Sequence, residues 1–273
     1  MDHVHRAGLA ARRRVLGVIA RRRRSRIGRQ VGRVGQALWS AYENDSCDPA
    51  SNGEAGVLAA LQPSGPTCIF DVGCFRGDWA AHALRLFPAA AVHCFEIAPT
   101  NHPYLIERLG REDRVVLNLH GLAALPGAVP IYQHPDHPDM TSTVSSPAID
   151  QLAGVSVPVT TADAYAEQQA IDHVDFLKVD AEGADLDVLS GAHRLLTEQR
   201  IDVIQFEFTL WAAIRRTWLA DFYDLLVPHG FHLGKVFPEG VEFRPHRPED
   251  EIFVRANYVA VHASRADLVE RMS

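Results

Sequence analysis

The stretch FDVGCFRGDW, residues 70 to 79, followed by AVHCFE at 91 to 96, decides how this chain is organised. An apolar strand running into a glycine-spaced turn, then a helix, then a second strand ending on an acid, holds a nucleotide-type cofactor at the carboxyl edge of a parallel sheet. Gly73 and Gly77 frame the turn, and Glu96, 19 positions beyond Gly77, stands where a carboxylate can grip both hydroxyls of a ribose. Written DxGxxxG, the turn departs from GxGxxG, whose helix N-terminus receives a pyrophosphate. A cofactor with a ribose and no phosphate fits better, which favours S-adenosylmethionine over a nicotinamide dinucleotide. The glycines alone would equally serve tight strand-to-helix packing, so support is needed from elsewhere in the chain.

That support lies in VDFLKVDAEGADLDVLSGAHRLL, residues 174 to 196. Val174, Phe176, Leu177 and Val179 read as a buried strand, DAEGAD as a loop, and Leu186, Leu189, Ala192, Leu195 and Leu196 as one face of a helix. The loop brings Asp180 and Glu182, with Lys178 just before them, to the edge where doubly wound sheets bind ligands. A third unit, IDVIQFEF at 201 to 208, delivers Glu207 to the same edge.

With these residues in view, the chain resembles the FkbM family of S-adenosylmethionine-dependent methyltransferases over roughly residues 67 to 209. The family's opening DVGANxG stands here as DVGCFRG, and its acid-proline pair after the second strand as Glu96-Ile97. Its KxDxEGxE with a following LxGA is matched by Lys178, Asp180, Glu182, Gly183, Asp185, Leu189, Gly191 and Ala192. Four positions depart from the pattern: Phe75 replaces the usual Asn, Ile97 a Pro, Gly121 the Ala of an AL dipeptide, and Ala124 a common Asp. The resemblance implies a class I, Rossmann-like α/β fold, a doubly wound, mostly parallel seven-stranded sheet with a helical N-terminal extension. It implies S-adenosylmethionine bound by Asp71, Gly73, Phe75, Gly77, Glu96, Ile97, Gly121, Leu122 and Asp180.

Methyl transfer asks little covalent help of a protein, which must align an acceptor atom and, for a hydroxyl, remove a proton. Asp180 is the first candidate for base, with Glu182 and Glu207 in support. Clustered acids raise one another's proton affinity or recruit a cation such as Mg²⁺, for which Asp180 and Glu207 are the candidate ligands. Asp180 and Glu182 could instead cap the helix beginning near Ala184. The expected activity is O-methylation of a sugar, glycolipid or polyketide-like metabolite. A nicotinamide-dependent oxidoreductase and a non-catalytic binding protein on the same fold are the rival readings.

Charge is unevenly spread. Residues 1 to 36 hold eleven Arg and one Asp, a balance of +10, against −7 for the whole chain, so the rest carries −17. Ile27, Val31, Val34 and Leu38 recur at i, i+4, i+7 and i+11, an apolar stripe on a basic helix. Such a helix could lie on an anionic membrane surface, dock on its own or a sister catalytic domain as a homo-oligomer contact, or bind nucleic acid, the least expected of these. The apolar run VLGVIA at 15 to 20 is too short to span a bilayer and no signal-type cleavage site follows it. An arginine-rich, acid-poor start also suits an organellar transit peptide in composition. A cytoplasmic protein, free or peripheral to a membrane, is expected, with a basic extension at 1–50 and the methyltransferase domain at 51–273.

Coarse periodicity predicts strands at 68–72, 91–95, 115–119, 174–179, 201–207, 231–237 and 252–262, the last two as an antiparallel hairpin. Helices are predicted at 55–61, 78–87, 100–109, 184–197 and 216–227. Residues 132 to 150, with three prolines and two histidines, read as a loop that could cover the pocket. His134 and His137 in that loop, and His120 before it, are weaker candidates for a chemical role. Cys47, Cys68, Cys74 and Cys94 lack metal-ligand spacing and read as reduced thiols.

Overall fold

Short runs of Val, Ile, Leu and Phe bounded by turn residues build the middle of a sheet, because a strand covered on both faces must be apolar at nearly every position. The computed structural model describes residues 16–133, 141–145 and 154–273, so His134, His137 and most of the proline-rich loop lie outside the described residues. The chain divides into two units, Met1–Asp45 and Ser46–Ser273.

In the first unit, residues 16–21 are helical and a 17-residue helix follows at Arg26–Tyr42. Ser25 starts that helix by accepting the Gly28 N–H on its hydroxyl at 2.9 Å.

The second unit is built on an eight-stranded sheet. Its strands are β1 (Cys68–Val72), β2 (Ala91–Phe95), β3 (Val115–Asn118), β8 (Val174–Val179), β9 (Ile201–Phe208), β10 (Phe231–Phe237), β11 (Gly240–Phe243) and β12 (Ala256–His262), in the order β11-β10-β12-β9-β8-β1-β2-β3. Pairing is parallel from β3 to β9, and β12 enters antiparallel between β9 and β10. The seven expected strands are present. The eighth, β11, folds back on β10 through a turn at Pro238 and Glu239, inside a segment expected to be loop. The strand expected to begin at 252 begins at 256.

Alternation along each strand separates two cores. Phe70, Val72, Leu177, Val179, Ile204 and Phe206 face one side, covered by helices Ala162–Gln168, Asp185–Ser190, His193–Thr197 and Leu219–Leu226. Ile69, Phe176, Val203, Val259 and Val261 face the other, covered by Glu54–Leu61, Asp78–Leu86, His102–Leu109 and Ala266–Met272. A second, four-stranded sheet was not anticipated: β4 (Gly121–Leu122), β5 (Gly127–Gln133), β6 (Thr141–Ser142) and β7 (Val155–Thr160), in the order β4-β7-β5-β6. Pro130 and Pro158 hid its main strands, although Val157 and Val159 are buried with exposed residues between them, the alternation that marks a half-buried strand.

The helix predicted at 184–197 is two helices that meet at Gly191. A β-carbon on Gly191 would stand 2.1 Å from the Ala123 carbonyl oxygen, so the helix break lets the backbone of the second sheet come close. Gly191→Ala should therefore force backbone apart and destabilise the fold by about 1–3 kcal/mol, read as a fall of several degrees in the melting temperature. An unchanged melting temperature would show that this approach is not needed.

Candidate functional site

The carboxyl ends of β1, β2, β8 and β9 lie side by side, and two cavities open there. The turn after β1 makes room for both. Gly73 has φ 79°, and a β-carbon on it would lie 1.8 Å from the Asp180 carbonyl oxygen, so only glycine lets β1 and β8 finish this close together. The Gly73 and Cys74 N–H groups donate to the Phe95 carbonyl at 2.9 and 3.1 Å, tying the turn to β2 on its other side.

The first cavity, of about 560 Å³, is lined by Gly73, Phe75, Glu96, Ile97, Gly121, Leu122 and Asp180 among others. Glu96 is buried, and its Oε1 accepts from the Ala98 N–H at 2.7 Å and the Asn101 Nδ2 at 3.2 Å. Burial pushes the Glu96 carboxyl up to about 7, against the pull of hydrogen bonds from Ala98, Asn101 and the Phe75 backbone. Gly121 keeps the wall open, since a β-carbon there would meet the Ile97 Cδ1 at 2.6 Å. On the far wall Arg215 ion-pairs with Asp187 and donates to the Thr143 hydroxyl at 2.7 Å.

The second cavity, of about 710 Å³, is lined by Asp71, Trp79, Lys178, Asp180, Glu207 and Asn257 among others. A polar row crosses the sheet beneath it. In register, Asp71 on β1 lies beside Lys178 on β8, which lies beside Gln205 on β9, so all three side chains leave the same face. The Lys178 Nζ is 3.2 Å from the Asp180 Oδ2 and 4.0 Å from the Asp71 Oδ1. Burial opposes the ammonium, but the two carboxylates outweigh it and hold Lys178 above its ordinary value. The shorter contact gives Asp180 most of this charge. Asp71 is fully buried, neither of its oxygens has a hydrogen-bond partner among the described residues, and burial raises it to about 6 despite Lys178.

Glu54 closes the row from outside the sheet. It accepts from Asn52 at 2.7 Å, Gln205 at 2.9 Å and Asn257 at 3.2 Å, fastening the segment before β1 over the strand ends. Glu54, Gln205 and Asn257 were missed in the sequence. Gln205 inside the apolar run VIQF was the available signal, because a buried amide needs a partner.

The three acids expected at the edge converge: Asp180, Glu182 and Glu207 bring carboxylate oxygens within 4.8 Å of one another. Burial, and then the Asp180 charge, hold Glu207 well above its ordinary value, and Arg255 at 3.4 Å only partly offsets them. The helix after this loop begins at Asp185 with no side-chain cap, so neither Asp180 nor Glu182 caps it; the Asp185 carboxylate instead accepts from the loop N–H groups of Gly183 at 3.1 Å and Ala181 at 3.4 Å. Burial raises Asp185 to about 7. Gly77, with φ 80°, lines neither cavity: a β-carbon there would strike the Leu109 Cδ1 at 2.6 Å, so it lets one helix pack on another. His120 lines neither cavity and sets its ring edge-on to Phe95. Cys74 is buried and its thiol is held well above its ordinary value by burial, which suits an inert space-filling group.

Phe75 occupies the left-handed region with φ 50°, a conformation that Asn tolerates and a bulky side chain resists. The Arg76 guanidinium lies 4.9 Å over its ring and 4.3 Å over that of Tyr104, which helps retain it. Phe75→Asn should stabilise the fold and Phe75→Val destabilise it, each by about 1 kcal/mol. The opposite order on chemical denaturation would remove backbone strain from the account of this turn.

A family model described as the methyltransferase FkbM domain matches residues 71–233, more than half of the chain. The 2-O-methyltransferase NoeI of Sinorhizobium fredii (strain NBRC 101917 / NGR234) is 25% identical over 202 residues, covering 68% of this chain and 80% of that protein. Among solved structures, a methyltransferase FkbM from Methylobacillus flagellatus KT is 16% identical with a TM-score of 0.47, covering 71% of this chain. The match spans 44% of that structure's own length. The O-methyltransferase TomG from Streptomyces achromogenes, solved in complex with S-adenosylmethionine, is 13% identical with a TM-score of 0.44, covering 84% of this chain and 88% of that one. Sequence motifs, sheet order and family match agree that this chain belongs to the FkbM family of S-adenosylmethionine-dependent methyltransferases.

Proposed function

We propose that the enzyme methylates a hydroxyl of a sugar, glycolipid or polyketide-like metabolite, with the cofactor lying across both cavities and the acceptor meeting it at Asp180. The observation that carries this reading is that Asp180 belongs to both cavities and to the acid cluster, so one carboxylate faces both halves of a transfer. The relative named as a 2-O-methyltransferase supports oxygen as the acceptor atom.

The residues present suit S-adenosylmethionine. Glu96 offers a carboxylate to two ribose hydroxyls, and the glycine cradle at Gly73 and Gly121, with Ile97 and Leu122, leaves width for an adenosine in the first cavity. Asp71, whose oxygens accept no hydrogen bond among the described residues and which meets Lys178 only at 4.0 Å, offers a counter-charge for an α-ammonium in the second. Phe75, common to both cavities, covers the place where they join. Bound there, the cofactor supplies an electrophilic methyl group. The protein's own part is to align the acceptor oxygen and take its proton. Asp180 accepts that proton, with the Glu182 and Glu207 carboxylates beside it.

A cation such as Mg²⁺ is a second reading, since three carboxylate oxygens form a donor set that suits a hard ion. Arg255 already balances part of the cluster through Glu207, which favours chemistry without it.

Two outcomes are expected. Asp180→Asn should leave cofactor affinity within about threefold while lowering kcat by roughly 100-fold or more, the scale of a lost general base. Turnover that survives this change removes Asp180 from the chemistry, and turnover that disappears on chelation and returns with Mg²⁺ favours the metal reading. The affinity for S-adenosylhomocysteine should rise with pH by up to about tenfold per unit below pH 7 and level off above it. The sign follows from Glu96, whose raised carboxyl holds a proton below about 7 that must leave before both ribose hydroxyls can donate to it. Glu96→Gln should bind more weakly and flatten the profile across that interval, leaving only the contribution of Asp71 near pH 6. An unchanged profile in Glu96→Gln would contradict the ribose assignment.

A further inference from the structure

The helix Arg26–Tyr42 takes no part in the chemistry above, yet its surface is strongly sided. Ile27, Val31, Val34, Leu38 and Tyr42 form one stripe and are 77%, 42%, 50%, 68% and 75% exposed. Arg26, Arg29 and Arg33 run together along one flank at spacings of three and four. Trp39, 48% exposed, stands beside the other edge with its ring 5.9 Å from that of Tyr42. The helix contains no Asp or Glu. Gly28, Gly32 and Gly35 lower its intrinsic propensity, and β-carbons on the last two would meet nothing within 4 Å among the described residues of this unit. A helix of low propensity with one apolar stripe gains its order from a surface that covers the stripe.

The chemistry of the face selects that surface. A second copy of the same helix would bring two arginine-rich segments together, each with a balance of +10 over residues 1 to 36. An anionic lipid surface meets all three features at once: acyl chains take the apolar stripe, phosphates take the arginines, and Trp39 and Tyr42 suit the headgroup level. No helix among the described residues is long and apolar enough to cross a membrane, so the geometry is that of a helix lying on one. We propose that Arg26–Tyr42 is an interfacial helix that binds anionic membranes. This goes beyond the methyl-transfer reading and does not depend on it.

The test is sedimentation of the full chain with vesicles of phosphatidylcholine alone or with about 30% phosphatidylglycerol, at about 50 and 500 mM NaCl, on either side of strong screening. The protein should pellet with the anionic vesicles at low salt, release at high salt, and stay in the supernatant with the neutral ones. Arg29→Gln with Arg33→Gln should lower partitioning by roughly 25-fold, about fivefold per charge. Val34→Asp with Leu38→Asp should abolish it, and both variants should bind S-adenosylhomocysteine as the unchanged protein does. Wild-type protein that ignores anionic vesicles, or variants that pellet as well as it does, overturn the proposal. Failure to bind lipid together with a dimer by light scattering that Val34→Asp and Leu38→Asp convert to monomer overturns it in favour of a sister chain.

Discussion

One buried ammonium organises the carboxyl edge of this sheet. Lys178 stands between Asp71 at the end of β1 and Asp180 at the end of β8, with the closer contact to Asp180. Without it, two carboxylates on adjacent strands would face each other in a region where Asp71 is wholly removed from water. Removing one partner from a buried ion pair typically costs about 3–5 kcal/mol, because the remaining charge is left uncompensated. With Lys178 in place, Asp71 can remain buried although neither oxygen accepts a hydrogen bond among the described residues, which leaves it hydrogen-bonding capacity for a ligand. Asp180 is oriented by the same ammonium where both cavities open.

Backbone crowding sets the second constraint. The approach of Gly73 to the Asp180 carbonyl and of Gly191 to the Ala123 carbonyl brings both sheets close to the strand ends. The second sheet contributes Gly121, Leu122, Val129, Thr141 and Val159 to the wall of the first cavity. A doubly wound sheet alone would leave that side open, and here it becomes the wall facing Glu96. Glu54 does the equivalent service for the second cavity, joining the segment before β1 to Gln205 and Asn257.

Much of this was legible in the sequence, for identifiable reasons. The parallel strands showed themselves because double burial makes them continuous apolar runs, and Asp180, Glu182 and Glu207 stood out as acids terminating such runs. The register of Asp71 with Lys178 and Gln205 was not legible, since it depends on how β1 pairs with β8, more than a hundred residues away, and β8 with β9. Gly77 belongs to the cofactor turn by spacing, and the close approach of the Leu105 and Leu109 side chains to it is a packing constraint that spacing does not reveal. Gly191 was hidden by the helical spacing of the leucines around it. Phe75 was legible as a departure from the usual Asn, and its positive φ supplies the physical reason that Asn is usual there.

The most direct measurement is a crystal structure of the full chain with S-adenosylhomocysteine. The account predicts ribose hydroxyls on the Glu96 carboxylate, the sulfur beside Asp180 where the cavities join, and the α-ammonium within hydrogen-bonding distance of Asp71 in the second cavity. An adenosine among Trp79 and Asn257, or an amino-acid tail that stays in the first cavity and leaves Asp71 without a partner, would contradict it.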